Sequence, residues 1–433
     1  AGLVVPRSQA VAGDLVDEAV ETGKLQVFAY TPAIKILVEH GHVCGVETHR
    51  GRIMSDKVVV SVGIWGPLLA DQVGSKLPMV PLEHPLMFFG PYEELSGTGA
   101  EIVYPLFRDQ GNSGYFRDTG DPATTEGGKI EWGYYETDNP VLVTANDIAE
   151  PGESRMSPSM RELSLEQVLE PMEKAMALVP LLGELGYEDR RSFNGLLSVT
   201  ADGGSLIGEA PEISGLWFAE AVWVKDGPGV GKVVADWMTK GSPEYDPYGI
   251  DIARFYPEQK QDDYVFGRCG EIAKKVYTPA VHPREPFETG RQLFKSPFYE
   301  REVALGGYFM EAAGWERAHG YAANEPTLLA KYRDQIPQRM HEWDSRHFWE
   351  VSNAEQLALS DDVGMVNLSH FAIYDIDGQS AEPLLEYLAV AKVGGATQVG
   401  KGDYTHFLDE KGGIRADLTI VRLSEDCFRV ICG

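Results

Sequence analysis

Cysteine is scarce in this chain, and the usual metal-binding spacings are missing. Only four cysteines occur among 433 residues, and no two of them form a C-x-x-C pair. The ten histidines contain no H-E-x-x-H pattern. Disulfide frameworks need paired cysteines, and structural zinc needs cysteine or histidine ligands at short, regular spacing. The sequence therefore predicts no metal site and no disulfide framework, and it favours a reducing compartment.

Positive charge is also in short supply, and long apolar runs are absent. The chain has 38 basic and 66 acidic residues, which gives a net charge of −28. Nucleic-acid binding needs a basic surface for the phosphates, so we expect no nucleic-acid partner. No apolar run approaches the roughly 18 residues of a membrane span, and no signal peptide is visible at the start. We therefore expect no membrane association.

The G-x-G-x-x-G fingerprint of dinucleotide-binding domains is missing near the start of the chain. The order of elements nevertheless resembles the second half of such a domain. The predicted elements are a helix at Ser8–Gly23, a strand at Lys24–Ala29, a meander over Ile34–Val38, Val43–Thr48 and Arg52–Met54, a buried strand at Lys57–Gly63, and a helix at Pro67–Val73. Because a parallel sheet that opens on a helix lacks its central strands, we expect the chain to begin inside a domain.

The stretch Gly215–Gly241 organises this first part of the chain. It predicts a strand at Leu216–Val224, a glycine-rich turn at Asp226–Gly231 and a helix that ends at Gly241. The helix is predicted because apolar residues recur at i, i+3, i+4, i+7 and i+8 from Val230. A glycine turn before a helix directs free backbone N–H groups to one point, which suits an anion or an electron-rich ring edge. Since G-P-G-V-G-K is neither a dinucleotide fingerprint nor a P-loop, a ligand loop and a plain tight turn both stay open.

After residue 77 the sequence changes character. Aromatics, prolines and short alternating segments such as Gly114–Arg117 and Lys129–Tyr135 become frequent. These segments predict an antiparallel sheet domain inserted into the first domain. The segment Asn194–Gly208 has the pattern of a hairpin that would return the chain to the Gly215–Gly241 stretch.

Several dense motifs carry a family resemblance. They are Phe193-Asn194-Gly195, Thr200–Gly204, Ala219–Val224, Gly306–Arg317 and Gly412–Glu425. In this order they closely resemble the bacterial dimethylglycine oxidases and the dimethylglycine and sarcosine dehydrogenases, over essentially the whole chain. The resemblance implies a multidomain fold of the α/β and α+β classes. It would comprise a partial FAD-binding α/β domain with an inserted antiparallel-sheet substrate domain, then a connector and a partial aminomethyltransferase-like domain.

The resemblance also implies domain boundaries. The FAD-binding domain would take residues 1–80 and 195–243, and the substrate domain would take residues 81–194. The connector would take residues 244–301, and the tetrahydrofolate domain residues 302–433. On this reading the chain is cut at both ends, with the phosphate-binding half of the FAD domain in front and the rest of the folate domain behind.

Two residues of the substrate domain are predicted to be catalytic. His84 matches a histidine that lies beside the flavin in the family, and Tyr115 matches its active-site tyrosine. An imidazole that titrates near neutrality can manage the proton of an amine substrate, and the tyrosine hydroxyl can orient the substrate or complete a proton relay. Without the resemblance, each would be read as an ordinary structural residue.

The resemblance also implies contacts with FAD. Tyr115 would lie close to the cofactor, and Ala33 would lie against the adenine. Gly63 is a candidate for a different reason: it ends the buried strand, where a glycine allows close approach of a cofactor but is also ordinary strand-end chemistry. Four consecutive residues match the flavin-contacting end of a strand: Val222, Trp223, Val224 and Lys225. Backbone donors there would stabilise negative charge at the pyrimidine edge of the flavin. Lys225 replaces a smaller polar residue of the family.

In the last domain, the resemblance implies a tetrahydrofolate site. Asp417 matches an aspartate that assists proton transfer near the folate amines. Tyr404 and Thr419 match residues of the pterin site, and Ile431 falls at a further position with a different residue type. Asn367 departs from the pattern, because this domain usually has aspartate there.

The resulting hypothesis is an FAD-dependent oxidative N-demethylation of an N-methylglycine, dimethylglycine first and sarcosine second. Tetrahydrofolate would capture the one-carbon unit, and electrons would pass to oxygen or to an electron-transfer flavoprotein. The implied location is the bacterial cytoplasm or the mitochondrial matrix. The alternative is a non-catalytic regulatory or binding protein, because the regulatory subunit of pyruvate dehydrogenase phosphatase resembles these enzymes and shares their domain order.

Overall fold

The computed structural model describes residues 8–95, 99, 102, 104–120, 127–149, 153, 157–276, 286–341, 348–394 and 397–433. The chain forms two compact units, which are described separately. The first unit comprises Ala1–Pro283 and Phe287–Gly290, and the second comprises Arg284–Pro286 and Arg291–Gly433. The four cysteines are free. Among the helices of the described ranges, none is long and apolar enough to cross a membrane.

The first unit combines two small sheets with one large sheet. Its helices are α1 (Ser8–Glu21), α2 (Gly66–Asp71), α3 (Leu165–Leu178), α4 (Leu182–Leu185), α5 (Gly227–Lys240) and α6 (Asp262–Val276). Its strands are β1 (Ala33–Glu39), β2 (His42–Thr48), β3 (Gly51–Met54), β4 (Val58–Val60), β5 (Met79–Phe89), β6 (Phe107–Asp109), β7 (Gly114–Asp118), β8 (Ile130–Tyr134), β9 (Met160–Glu162), β10 (Phe193–Thr200), β11 (Leu206–Glu209) and β12 (Leu216–Glu220).

The predicted meander forms the antiparallel sheet β1-β2-β3, as expected from its turns. The strand predicted at Lys24–Ala29 was wrong, because this segment is irregular. Its apolar side chains stay largely exposed, with Val27 at 60% and Phe28 at 55%, and so gain little from ordering as a strand. Helix α1 forms where predicted, yet its apolar stripe is exposed: Leu15, for example, is 55% accessible.

The sheet β11-β12-β4 contains the parallel pair β12 and β4. Strand β12 ends at Glu220 and not at Val224, because Ala221 adopts a left-handed conformation with φ of 52°. Helix α5 already starts at Gly227, so most of the predicted glycine turn is the first turn of the helix. Gly241 ends the helix with φ of 84°, as predicted for a glycine cap.

The large sheet is antiparallel, with the strand order β6-β7-β8-β5-β10-β9. One face packs on α3 and forms a buried cluster that includes Met87, Phe89, Trp132 and Val168. Each such side chain contributes about 1.5–3 kcal/mol on burial, so this face holds the sheet in place. We call it the core face, and we call the opposite face the front face.

The hairpin predicted over Asn194–Gly208 was wrong. Strand β10 pairs with β5 over eight residues and with β9, whereas β11 pairs with β12. The two strands therefore belong to different sheets. Pairing of β10 with β5 is favoured over a hairpin with β11, because β10 then lies between two neighbours in the large sheet and its backbone groups are satisfied on both edges.

The second unit contains a hairpin and a four-stranded sheet. Its helices are α7 (Tyr299–Ala304), α8 (Glu325–Tyr332), α9 (Trp349–Asp361) and α10 (Ala381–Leu388). Its strands are β13 (Gly307–Ala312), β14 (Trp315–Tyr321), β15 (Ala372–Asp377), β16 (Gly402–Leu408), β17 (Ile414–Arg422) and β18 (Cys427–Cys432). Strands β13 and β14 pair with each other, and the sheet has the order β15-β18-β17-β16. Leu385 of α10 packs against Ile420 and Phe428 on one face of this sheet.

Candidate functional site

The front face of the large sheet carries both residues predicted to be catalytic. Tyr115 on β7 lies opposite Gly133 on β8, which lies opposite Leu86 on β5. His84 is two residues before Leu86, and alternate residues of a strand share a face. Strand register therefore brings together two residues that are 31 positions apart in the sequence.

His84 and Tyr115 form a hydrogen bond in which the imidazole Nε2 and the phenol oxygen are 3.0 Å apart. A second bond links the ring to the backbone of Tyr134. The Tyr135 ring packs 4.5 Å from the His84 ring, centroid to centroid. These contacts fix the imidazole on three sides, as a positioned acid–base group requires.

Burial changes the expected titration of His84. The side chain is 7% exposed, and desolvation of its charged form lowers the pKa to about 4, against a smaller raising effect of the hydrogen bond to the Tyr134 backbone. The expectation of an imidazole that titrates near neutrality was therefore wrong for this site. With a neutral ring whose other nitrogen donates to the Tyr134 carbonyl, Nε2 is the acceptor and the Tyr115 hydroxyl is the donor.

Gly133 is a functional position that the sequence analysis missed. A Cβ atom built on Gly133 would overlap the Tyr115 ring at Cζ. The Tyr115 ring thus lies directly across the Gly133 backbone, and only glycine leaves it room. A glycine inside a strand pattern between aromatics (Glu131-Trp132-Gly133-Tyr134) is the signal that could have found it, because it indicates close approach of another group.

A cavity beside the front face brings His84 together with Trp223. Tyr135 and Thr200 also line it, and Ile272 of α6 forms part of another wall. The neighbours of Trp223 lie elsewhere: Val222 packs with α5, and Val224 is 74% exposed. The exposed Lys225 pairs with Asp226, its Nζ 2.6 Å from the carboxylate. Of the four predicted flavin contacts in this stretch, only Trp223 lines the cavity.

Besides the cavity, the carboxyl ends of the parallel strands β4 and β12 have features that suit a bound cofactor. Gly63 follows β4 with φ of 63°, and open space surrounds the position where a Cβ would stand. Beside it, Glu220 accepts a hydrogen bond from the Val62 N–H at 2.7 Å, and its Oε2 is buried without a partner among the described residues. Burial raises the Glu220 pKa to about 7. Ala33 begins β1 in a different sheet and is exposed.

An open glycine and an orphaned buried oxygen at the carboxyl ends of parallel strands fit a dinucleotide, because such ligands bind at this edge of α/β sheets. Gly63 and Trp223 are the residues on this side of the unit that would hold FAD. Glu220 is a further residue that the sequence analysis missed, and it ties the ends of β12 and β4 together. The described residues contain no group of three or more side chains placed to bind a metal ion.

In the second unit, the predicted folate residues share one face of the four-stranded sheet. Tyr404, Thr419 and Ile431 stand opposite one another on β16, β17 and β18. Asp417 is two residues before Thr419, and the Tyr404 hydroxyl donates to its carboxylate at 3.1 Å. This bond raises the pKa of Tyr404. The sequence analysis missed His406, which lies opposite Asp417 and whose ring centroid is 5.4 Å from that of Tyr404.

Asn367 belongs to a polar cluster and not to this sheet face. Its amide donates to Ser296 Oγ at 2.8 Å and to Glu302 Oε1 at 3.0 Å. Tyr321 donates to the same Glu302 oxygen at 2.7 Å. Since Glu302 is 7% exposed, a neutral donor at position 367 suits it better than a second carboxylate would. The asparagine at position 367 is thus explained by the buried acid beside it, Glu302.

Asn367→Asp is expected to destabilise the second unit at neutral pH by about 2 kcal/mol, because it places two carboxylates within hydrogen-bond distance in a poorly solvated cluster. The loss comes from repulsion between two negative charges in a poorly solvated cluster, so urea unfolding at neutral pH measures it. The exposed Asn139→Asp, with the same charge change, is the control, and equal losses in the two variants would contradict the explanation.

Acid is expected to weaken the first unit through His84. The unfolded imidazole has the ordinary pKa of 6.5, whereas the folded one is about 4, so the unfolded state takes up the proton first. The stability is complete above the unfolded pKa and is lost as pH falls toward 4, by about 2 kcal/mol between neutral pH and about pH 5. Urea unfolding of wild type and His84→Gln at these two pH values isolates this share, since glutamine does not titrate. Equal pH dependence in both proteins would contradict it.

The first unit thus combines a parallel strand pair with an antiparallel sheet that presents a buried histidine–tyrosine pair. Comparison with known families makes this specific. Residues 2–237 match the model described as FAD dependent oxidoreductase, and the chain belongs to that family. Residues 240–296 match the FAD dependent oxidoreductase central domain, and residues 298–433 match the GCVT N-terminal domain.

Curated relatives match over most of this chain. The 4-methylaminobutanoate oxidase (formaldehyde-forming) of Paenarthrobacter nicotinovorans is 30% identical, over 92% of this chain and 45% of its own length. The mouse mitochondrial pyruvate dehydrogenase phosphatase regulatory subunit is 26% identical, over 99% and 46%. Human mitochondrial sarcosine dehydrogenase is 28% identical, over 88% and 41%. The chain thus spans less than half the length of these relatives.

These matches confirm the predicted family resemblance and the multidomain α/β and α+β fold. They also confirm the cofactor predictions at the level of the matched families, with FAD for the oxidoreductase part and tetrahydrofolate for the GCVT part.

Proposed function

We propose that the protein oxidises the N-methyl group of an amino acid, with dimethylglycine as the preferred substrate and sarcosine as the next candidate. The observation that carries this proposal is the buried hydrogen bond between neutral His84 and Tyr115 on the front face. Hydride leaves a carbon next to nitrogen only when the nitrogen lone pair is free, so the ammonium proton must first be removed, and a positioned histidine–tyrosine pair can accept it. The names of the relatives, a methylaminobutanoate oxidase and a sarcosine dehydrogenase, support the same substrate class.

His84 and Tyr115 act on the substrate proton. The Tyr115 oxygen accepts a hydrogen bond from the substrate ammonium while its own hydrogen points to His84 Nε2. The proton of the ammonium passes to the Tyr115 oxygen as the Tyr115 proton passes to His84, so one buried cation replaces another. Desolvation penalises the bound ammonium as it penalises the imidazolium, so the buried amine gives up its proton more readily than it does in water.

Bound FAD supplies the acceptor for the hydride of the N-methyl carbon. Trp223 and Gly63 would hold the cofactor, and the family resemblance assigns further contacts with it to Val222, Val224, Lys225 and Ala33. Water then adds to the substrate iminium, which releases the demethylated amine and a carbon at the formaldehyde level. Oxygen or an electron-transfer flavoprotein takes up the electrons.

The second unit captures that carbon on tetrahydrofolate in this proposal. Asp417 manages the proton of the attacking amine, and Tyr404 holds the Asp417 carboxylate in place through their 3.1 Å bond. Thr419 and Ile431 form the floor of the same sheet face. The domain division proposed for this scheme is the one given by the family resemblance, with residues 302–433 as the folate part.

The test is anaerobic mixing of the flavin-loaded protein with dimethylglycine, with sarcosine and with N,N-dimethylpropylamine. We expect dimethylglycine to bleach the visible flavin band fastest. Absence of bleaching by any N-methyl amine would reject the proposal. The second candidate function is regulation without catalysis, favoured by the match to the phosphatase regulatory subunit over 99% of the chain. A purified protein that is colourless and carries no flavin would favour it.

A further inference from the structure

One wall of the cavity beside His84 is a short turn that ends in two glycines. Thr200 is the last residue of β10, and it lines the cavity together with Gly203 and Gly204. The Thr200 hydroxyl donates to the Gly204 carbonyl at 2.8 Å and closes the turn. Since glycine offers only backbone to a ligand, the shape of this wall depends on where the backbone of the Thr200–Gly204 turn is held.

An arginine between α5 and α6 holds this turn from outside the cavity. Arg254 forms a two-pronged ion pair with Asp202, in which Nε is 2.7 Å from one carboxylate oxygen and Nη2 is 2.9 Å from the other. Nη2 also donates to the Gly204 carbonyl at 3.2 Å, and Asp202 accepts from the Gly204 N–H at 3.0 Å. One planar guanidinium thus binds both the acid and the last carbonyl of the turn.

The arginine is itself fixed in place. Arg254 Nη1 donates to the Asp251 carbonyl at 2.8 Å, the guanidinium carbon lies 4.4 Å from the centroid of the Phe255 ring, and the side chain is only 12% exposed. A Cβ atom built on Gly204 would lie 2.9 Å from the Gly249 carbonyl oxygen and 3.1 Å from Arg254 Nη2. The turn is therefore packed closely against this segment, unlike the partners of a loose surface ion pair.

The turn is also joined to another part of the cavity wall. Ser205 Oγ donates to the Ala221 carbonyl at 3.2 Å. Ala221 lines the cavity, as does Trp223 two residues later. His84, in contrast, is fixed by the pairing of its own strand and by its ring contacts. Loss of the arginine should therefore displace the wall and leave the acid–base pair in place.

We propose that Arg254 is a positioning residue for substrate binding, which holds the Thr200–Gly204 turn in place as a wall of the cavity. This inference rests on the proposed function. The segment that the sequence analysis interpreted as a connector then contributes to the oxidase site. A correctly placed wall gives the substrate its packing contacts, whereas the proton is handled by His84 and Tyr115. Loss of Arg254 should accordingly weaken substrate binding more than it lowers the limiting rate.

The test compares Arg254→Gln with wild type in anaerobic reduction of the flavin-loaded protein by dimethylglycine. We expect the half-saturating concentration to rise about 10-fold, the lower end of the effect of one packing contact in a pocket, with a limiting rate within about threefold of wild type. Arg254→Lys should recover part of the loss, because an ammonium keeps the charge but cannot form the two-pronged pair with Asp202. If Arg254→Gln does not fold, Arg254→Lys carries the same comparison with a smaller expected change.

Lys260→Gln is the matched control, because it removes another buried cation of the same segment. The Lys260 ammonium pairs with Glu212 at 2.9 Å, and neither residue belongs to the cavity lining. This variant should lose stability while it keeps the half-saturating concentration of wild type. An equal rise in both variants would show that the effect of Arg254→Gln is a general loss of structure, and it would reject the proposed role.

Hydrogen exchange separates this inference from the proposed function. The Gly203 and Gly204 N–H groups, both bonded within the turn, should exchange about tenfold faster or more in Arg254→Gln than in wild type or Lys260→Gln, whether or not any amine is oxidised. If dimethylglycine bleaches the flavin and Arg254→Gln keeps the wild-type half-saturating concentration, the role of Arg254 is rejected and the proposed function stands. If no N-methyl amine bleaches the flavin, the proposed function fails, and exchange of the turn alone then decides whether Arg254 holds it.

Discussion

His84→Ala is expected to slow the bleaching of the flavin by dimethylglycine about 10²- to 10⁴-fold, the usual contribution of a positioned general base. The substitution removes Nε2, the acceptor of the Tyr115 hydroxyl at 3.0 Å, so the proton of the substrate has no final carrier. The effect should appear in the limiting rate at saturating substrate, because the proton is removed after the substrate has bound. Stopped-flow absorbance under anaerobic conditions measures it.

The control for this prediction separates chemistry from folding. His42→Ala removes an exposed imidazole from β2 in the same unit and should leave the rate unchanged. His84→Gln keeps an acceptor oxygen near the Tyr115 hydroxyl but cannot hold a proton, so it should be nearly as slow as the alanine variant while it folds better. A limiting rate for His84→Ala within about twofold of wild type, with normal flavin content, would remove His84 from the mechanism.

The sequence predicted those features whose cause is local. The apolar period of α5 and its glycine cap at Gly241 lie within one short segment, so both could be predicted and both are confirmed. The meander of β1 to β3 follows from its two tight turns in the same way. The end of β12 could not be predicted, because Ala221 carries no turn signal although it adopts a left-handed conformation.

The candidate site arises from pairing between strands that are far apart in the sequence. His84 and Tyr115 were singled out through family resemblance, but their hydrogen bond arises from the register of β5, β8 and β7. The low pKa of His84 arises from burial, which no sequence pattern near Pro85 reveals. His406 could have been found from its spacing of two from Tyr404, which places both on one face of a strand.

Gly133→Ala tests whether register alone delivers Tyr115 to His84. The added Cβ overlaps the Tyr115 ring, and backbone on a central strand cannot move far, so the ring must leave its place. Loss of the His84 hydrogen bond should slow flavin bleaching about 100-fold, the cost of misplacing a catalytic group by about 1 Å. Gly195→Ala is the matched control: it changes a glycine directly opposite His84, where the nearest heavy atom is a Phe193 ring carbon at 3.3 Å.

The double variant decides between a local and a global effect of Gly133→Ala. If the alanine acts only by displacing Tyr115, then Gly133→Ala, Tyr115→Phe and the two together should share one reduced rate, because a contact can be lost only once. If the alanine disturbs the whole sheet, the losses should multiply, and the urea midpoint should fall with the rate. The overlap falls on ring carbons that phenylalanine also has, so the double variant Gly133→Ala, Tyr115→Phe keeps the clash. The double variant Gly133→Ala, Tyr115→Ala removes the ring, and it should recover the stability of Tyr115→Ala if the ring is the cause.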